Sequence, residues 1–101
     1  MNLTQSKNKI KGYINIANKA GYLVIGADKL KNYNKKLYLL MADKTAGKNL
    51  FKIARAKQDI PFVVLNNLCE YVGIENCKII GIKNFGLSQE ILKIVKEQNI
   101  E

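Results

Sequence analysis

Four short apolar runs punctuate this chain: Tyr22 to Ile25, Leu37 to Ala42 ("LYLLMA"), Phe62 to Leu65 ("FVVL") and Lys78 to Ile82 ("KIIGI"). Each is too short for a core helix. Each is also apolar without alternation, the pattern of a strand whose two faces are both covered.

Between the runs the spacing turns helical. From Lys7 to Ala20 apolar residues fall at Ile10, Tyr13, Ile14, Ala17 and Ala20, and Gly21 ends that helix. A short helix is expected over Lys29 to Tyr33. Another is expected from a Thr45 cap to about Asp59, with Leu50, Ile53 and Ala54 inward and Pro61 as its stop. Asn67 and Glu70 stand three apart like a capping pair opening a helix to Val72, and Leu87, Ile91, Leu92, Ile94 and Val95 mark a final one. Helix and strand thus alternate throughout, which predicts an α/β fold: a three-layer α/β/α sandwich with a four-stranded mixed sheet and about five helices. With 101 residues, 48% of them apolar, the chain is expected to fold as a single domain, 1–101.

Composition narrows the function classes. No apolar run approaches the length of a membrane span, and the N-terminus "MNLTQSKNKIKG" carries no secretory pattern, so a soluble cytoplasmic protein is expected. The absence of histidine removes Ser-His and Cys-His nucleophile pairs. Cys69 and Cys77 form no metal-ligand spacing and read as free thiols. No enzyme activity, metal or cofactor is expected.

The net charge of +9 is unevenly distributed. Residues 1–60 carry thirteen Lys and Arg against Asp28, Asp43 and Asp59, a surplus of ten; residues 61–101 carry four against five. An AT-rich genome accounts for many of the sixteen lysines and twelve asparagines, but such a genome supplies Asp and Glu codons equally. A lopsided basic domain points to a phosphate-rich partner, nucleic acid ahead of a membrane.

Three stretches can carry that contact. In "VIGADKLKN" Gly26 permits a sharp turn out of a strand, and the backbone N–H groups from Ala27 to Lys29 open a helix. Asp28 suits guanine N–H donors, and Lys29 and Lys31 suit phosphate or guanine acceptors. The plainer alternative is a turn glycine, an Asp28 cap and solvated lysines. "ADKTAGKN", Ala42 to Asn49, nearly spells a phosphate-binding loop. However, Asn49 stands where a hydroxyl should bind magnesium, Gly47 is the loop's single glycine, and no later strand ends in an aspartate. Asp43 and Thr45 there read as a helix start, with Lys44 and Lys48 in reach of a backbone phosphate. The third stretch, Gly73 to Lys78, sets Ile74 and Cys77 near a loop tip, either to press on an unstacked base or as core at a loop edge. If the strand ends share one side, all three stretches converge.

The segments "INIANKAGYLVIGADKLKN", "LYLLMADKTAGKNLFKIA", "IPFVVLNNLCEYVGI" and "KIIGIKNFGLSQEIL" resemble the ribosomal protein family of the L-seven-Ae type, specifically its small bacterial members of the YlxQ kind, from about Lys9 to Val95. The resemblance implies an α/β/α sandwich that binds structured RNA, in many relatives the kink-turn, a bent duplex with sheared G·A pairs and an extruded nucleotide. The family's Gly-x-Asn-Glu-x-x-Lys reader falls on Gly26 to Asn32: Gly26 matches, Asp28 replaces the asparagine, Lys29 the glutamate and Asn32 the lysine. Asp28 cannot donate as an amide does, and Lys29 reverses a charge, each change costing about 1 to 3 kcal/mol of base discrimination. The clip on the extruded nucleotide falls near Ile74 to Lys78, made more polar by Glu75 and Asn76.

The leading expectation is therefore a non-enzymatic RNA-binding protein, monomeric when free, acting on ribosomal or other structured RNA. Phosphate contacts are expected from Lys29, Lys31, Lys35, Lys36, Lys44 and Lys48, and selectivity from Gly26, Asp28, Lys29 and the loop near Cys77; Ala27, Asn32, Asp43, Ile74, Asn76 and Lys78 complete the expected RNA-binding set. A second reading is a protein-interaction adaptor that has lost kink-turn specificity, and a third is a degenerate nucleotide hydrolase at Ala42 to Asn49.

Overall fold

The computed structural model describes residues 2–57 and 59–98. Its first helix, α1 (Leu3–Lys19), starts earlier than the apolar spacing suggests. Asn2 Oδ1 accepts the Gln5 N–H at 2.8 Å while Gln5 Oε1 accepts the Asn2 N–H at 3.0 Å, a reciprocal cap that satisfies two otherwise unpaired donors. Gly21, at φ 77°, turns the chain out of it.

The elements then follow in the expected alternation: β1 (Leu23–Ile25), α2 (Ala27–Asn32), β2 (Leu39–Asp43), α3 (Lys48–Ala56), β3 (Phe62–Leu65), α4 (Leu68–Val72), β4 (Ile79–Ile82) and α5 (Phe85–Gln98). The four strands make one mixed sheet in the order β1-β4-β2-β3. β4 runs antiparallel to both its neighbours, whereas β2 and β3 are parallel and joined across α3.

Both sheet faces are covered, which explains the unbroken apolar strands. Along β2, Leu39 and Met41 join the core on one face with Ile10, Ile14, Ile80 and Ile91; Leu40 and Ala42 join the core on the other with Val24, Leu30 and Ala54. The first layer is built by α1, α4 and α5, the second by α2 and α3. The α/β/α sandwich with a four-stranded mixed sheet and five helices is the architecture of this chain.

Two expected caps are absent. Gly47, not Thr45, is the N-cap of α3, and α3 ends at Ala56 rather than near Asp59. Asn67 precedes α4 in the left-handed region with no side-chain cap bond, so it does not pair with Glu70. At α4 the polar work falls to Asp43, which accepts the Leu68 N–H.

Candidate nucleic-acid interface

The register puts the C-terminal ends of β1, β2 and β3 beside the N-terminal end of β4: Ile25 lies opposite Ile80, Ala42 opposite Ile79, and Asp43 opposite Leu65. Backbone bonds extend this edge into the loops. The Gly26 N–H donates to Ile79 O at 3.1 Å, the Asp43 N–H to Lys78 O at 2.8 Å, and the Lys44 N–H to Leu65 O at 2.8 Å. Convergence was expected of Gly26–Asn32, Asp43–Lys48 and Ile74–Lys78; the starts of the first two stretches meet the third on one rim, while the end of the first leads away from it along α2.

A cleft of about 340 Å³ opens there, walled by Gly26 and Ala27 on one side, Ile74 to Lys78 on the other and Leu50 below. Gly26 makes the turn possible: at φ 95° and ψ 156° it holds a conformation that side chains rarely adopt. Asn76, at φ 59°, bends the facing loop so that Ile74 is 38% exposed at its tip. Cys77 belongs to the core instead. Its thiol points at Ile79 O, and burial pushes its pKa up, so it anchors the loop rather than pressing on a ligand.

Asp43 was expected to contact RNA, and the structure corrects this. It is 4% exposed and its acceptors are used internally: Oδ1 takes the Leu68 N–H at 2.7 Å, and Oδ2 takes both the Thr45 N–H at 2.9 Å and the Thr45 hydroxyl. Lys78 Nζ donates to Thr45 Oγ1 at 2.8 Å and lies 3.6 Å from Asp43 Oδ2. Burial alone would raise the Asp43 pKa, but the Thr45 and Leu68 bonds with Lys78 nearby outweigh it and hold the carboxyl at about 2. Sequence reasoning missed Thr45 in this role. The signal was the Asp-x-Thr spacing, a turn in which a carboxylate caps the amide two residues on.

The other expected contacts divide between locations. Lys29, Lys44, Lys48 and Lys78 flank the rim, with the acids Asp28, Asp43 and Glu75 among them. Lys31 lies about one helical turn from the rim, in a groove between α2 and α3 with Lys52 and Lys57. Asn32 spends an amide hydrogen on Asp28 O at 3.1 Å. Lys35 and Lys36 do not join the rim: they precede β2, whose first residue, Leu39, pairs with Ile82 at the opposite end of the sheet. The strands carry α2's connection away from the edge it started on, and no spacing within "LKNYNKKL" reveals that. Among the described residues no three of His, Cys, Asp and Glu gather as a metal site, and no helix is long and apolar enough to cross a membrane.

No family model matches this sequence, and no curated protein matches it. Among solved structures the chain is similar to a protein of unknown function from Bacillus halodurans, at 24% identity over 87% of this chain and 97% of that one, with a TM-score of 0.73. At that identity the likeness is one of fold.

Proposed function

We propose that this chain is a non-enzymatic protein that binds structured RNA through the rim, with ribosomal RNA or another kink-turn-like fold as its partner and translation in the cytoplasm as its setting. It acts as a monomer when free. The observation that carries the reading is the meeting of Gly26–Ala27 and Ile74–Lys78 across one open cleft with Leu50 of α3, the Asp43–Thr45 turn being tied to that edge through Lys78. A turn glycine, an apolar loop tip at Ile74 and flanking lysines are what a bent RNA with an extruded nucleotide needs: a close backbone approach, a surface for an unstacked base and counter-charge for phosphate. The resemblance to the L-seven-Ae type family supports the same reading.

The test is a salt titration of filter binding to a kink-turn hairpin and to an unbent duplex. The expected result is preference for the hairpin, with Lys29→Glu weakening binding and flattening the dependence of log K on log salt by about one. Equal binding by the variant would refute the rim.

The acids within the rim favour one alternative. With Asp28 and Glu75 exposed beside Lys29 and Lys78, the same edge suits a protein surface of mixed charge, which is the adaptor reading. An adaptor would show only weak, salt-erased binding and no preference between the two RNAs.

A further inference from the structure

The opposite end of the sheet carries a second surface with a different chemistry. Lys83 donates its N–H to Tyr22 O at 2.8 Å, and Tyr38 donates to Ile82 O at 2.9 Å. Since Ile82 is paired with both Leu23 and Leu39, one further step of the register sets Tyr22, Lys83 and Tyr38 in a row across three strands, about 5 Å apart. Two more rings complete it. Phe85 meets Tyr38 edge-on, with ring centroids 5.6 Å apart and planes at 78°, and Lys83 Nζ stands 5.4 Å from the centroid of Tyr33. Lys36 Nζ stands 5.7 Å from the centroid of Tyr38.

Neither packing nor charge balance accounts for this cluster. Phe85 is 59% exposed and Tyr22 38%, so both leave aromatic surface in water that the core does not use. The lysines outnumber the acids. Lys19, Lys35, Lys36, Lys57 and Lys83 end or join elements at this pole, against Asp59 and, about one and a half turns into α5, Glu90. The rim sets four lysines against three acids, so the larger surplus of positive charge lies here.

We infer that this pole binds single-stranded nucleic acid, with an unpaired base stacked on the exposed face of Phe85, whose ring is braced edge-on by Tyr38, and the flanking phosphates held by Lys36 and Lys83. Aromatic rings interleaved with cations form a platform for unstacked bases. A duplex cannot use it, because its base faces are buried in its own stack. The surface would hold an unpaired segment of whatever RNA the protein carries, but it is built from residues other than those of the rim and does not depend on the rim being correct.

The test is fluorescence anisotropy with a labelled twelve-nucleotide oligouridylate and a blunt duplex of the same length at low salt. The expected result is saturable binding of the single strand and weaker binding of the duplex. Phe85→Ala should lower single-strand affinity about fivefold or more, the low end for one stacked base, while Phe85→Tyr retains it. The double variant Lys36→Ala with Lys83→Ala should flatten the salt slope by about 1.4, from two phosphate contacts on a single strand. The loss caused by Phe85→Ala should be the same size in a Lys29→Glu background as in the wild type, so failure of the rim and failure of this pole read out separately. No saturable binding, or equal binding by Phe85→Ala with an unchanged thermal midpoint, overturns the inference. So does a wild-type dimer in sedimentation that Phe85→Ala converts to monomer, since the pole would then be an interface between copies.

Discussion

The carboxylate of Asp43 accepts the backbone N–H of Leu68 at 2.7 Å, joining the end of β2 to the start of α4 across 25 residues. Its second oxygen holds Thr45, and Thr45 in turn receives Lys78. One buried carboxylate thus ties three loops of the rim together.

That arrangement sets a pH dependence. The folded pKa of about 2 lies below the ordinary value of 3.8, so the stabilisation is fully present above about pH 4 and is lost as pH falls through 2. It is worth about 2 kcal/mol at neutral pH. Asp43→Asn should lose about 2 to 3 kcal/mol at pH 7, because an amide cannot accept from Thr45 and Leu68 as a carboxylate does. Its stability should also lose most of the wild type's change between pH 4 and pH 2. Urea unfolding across that range measures both.

Gly26 offers a test of backbone strain without crowding. A Cβ there would meet no atom within 4 Å, yet φ is 95° and ψ 156°. Gly26→Ala should therefore cost about 1 to 3 kcal/mol through the backbone alone. The urea midpoint should fall with an unchanged slope.

Gly81 is the opposite case. It sits inside β4, where a Cβ would lie 2.8 Å from Leu30 Cδ2 and 3.2 Å from Leu37 Cδ1. Gly81→Ala should destabilise by about 1 to 3 kcal/mol. Combined with Leu30→Val the two losses should be less than additive, since the smaller side chain gives up the contested space; a double-mutant cycle measures the coupling.

Ser88 is wholly buried in α5 and its hydroxyl has no hydrogen-bond partner among the described residues. Ser88→Ala should raise stability by about 1 kcal/mol, a gain of several degrees in the thermal midpoint. A loss of stability would mean the hydroxyl has a partner after all.

The layers were legible because burial on both faces leaves a mark in sequence: Leu39 to Ala42 and Ile79 to Ile82 are apolar at every position except Gly81. The structure explains that exception: a Cβ at Gly81 would meet Leu30. The convergence of Gly26, Lys44 and Lys78 was legible only on the condition that the strand ends share one side, and it is the antiparallel direction of β4 that meets it for Lys78. Side-chain destinations were not legible. Asp43 and Thr45 fit a helix cap equally well on paper, and only the position of α4 decides that the carboxylate turns to Leu68 instead. The far pole was illegible for a different reason. Tyr22 comes from the α1–β1 connection, Tyr33 and Tyr38 from the two ends of the α2–β2 connection and Phe85 from the start of α5, and no spacing in the chain anticipates their meeting.

The strand order has a consequence for biogenesis. β4, supplied by residues 79–82, is the partner of both β1 and β2, which do not pair with each other. A nascent chain can assemble β2 with β3 early, since α3 links them locally, but β1 waits for a strand made more than fifty residues later. The segment carrying β1 must therefore stay unpaired in the sheet until residues 79–82 have been made, and cooperative closure waits for β4.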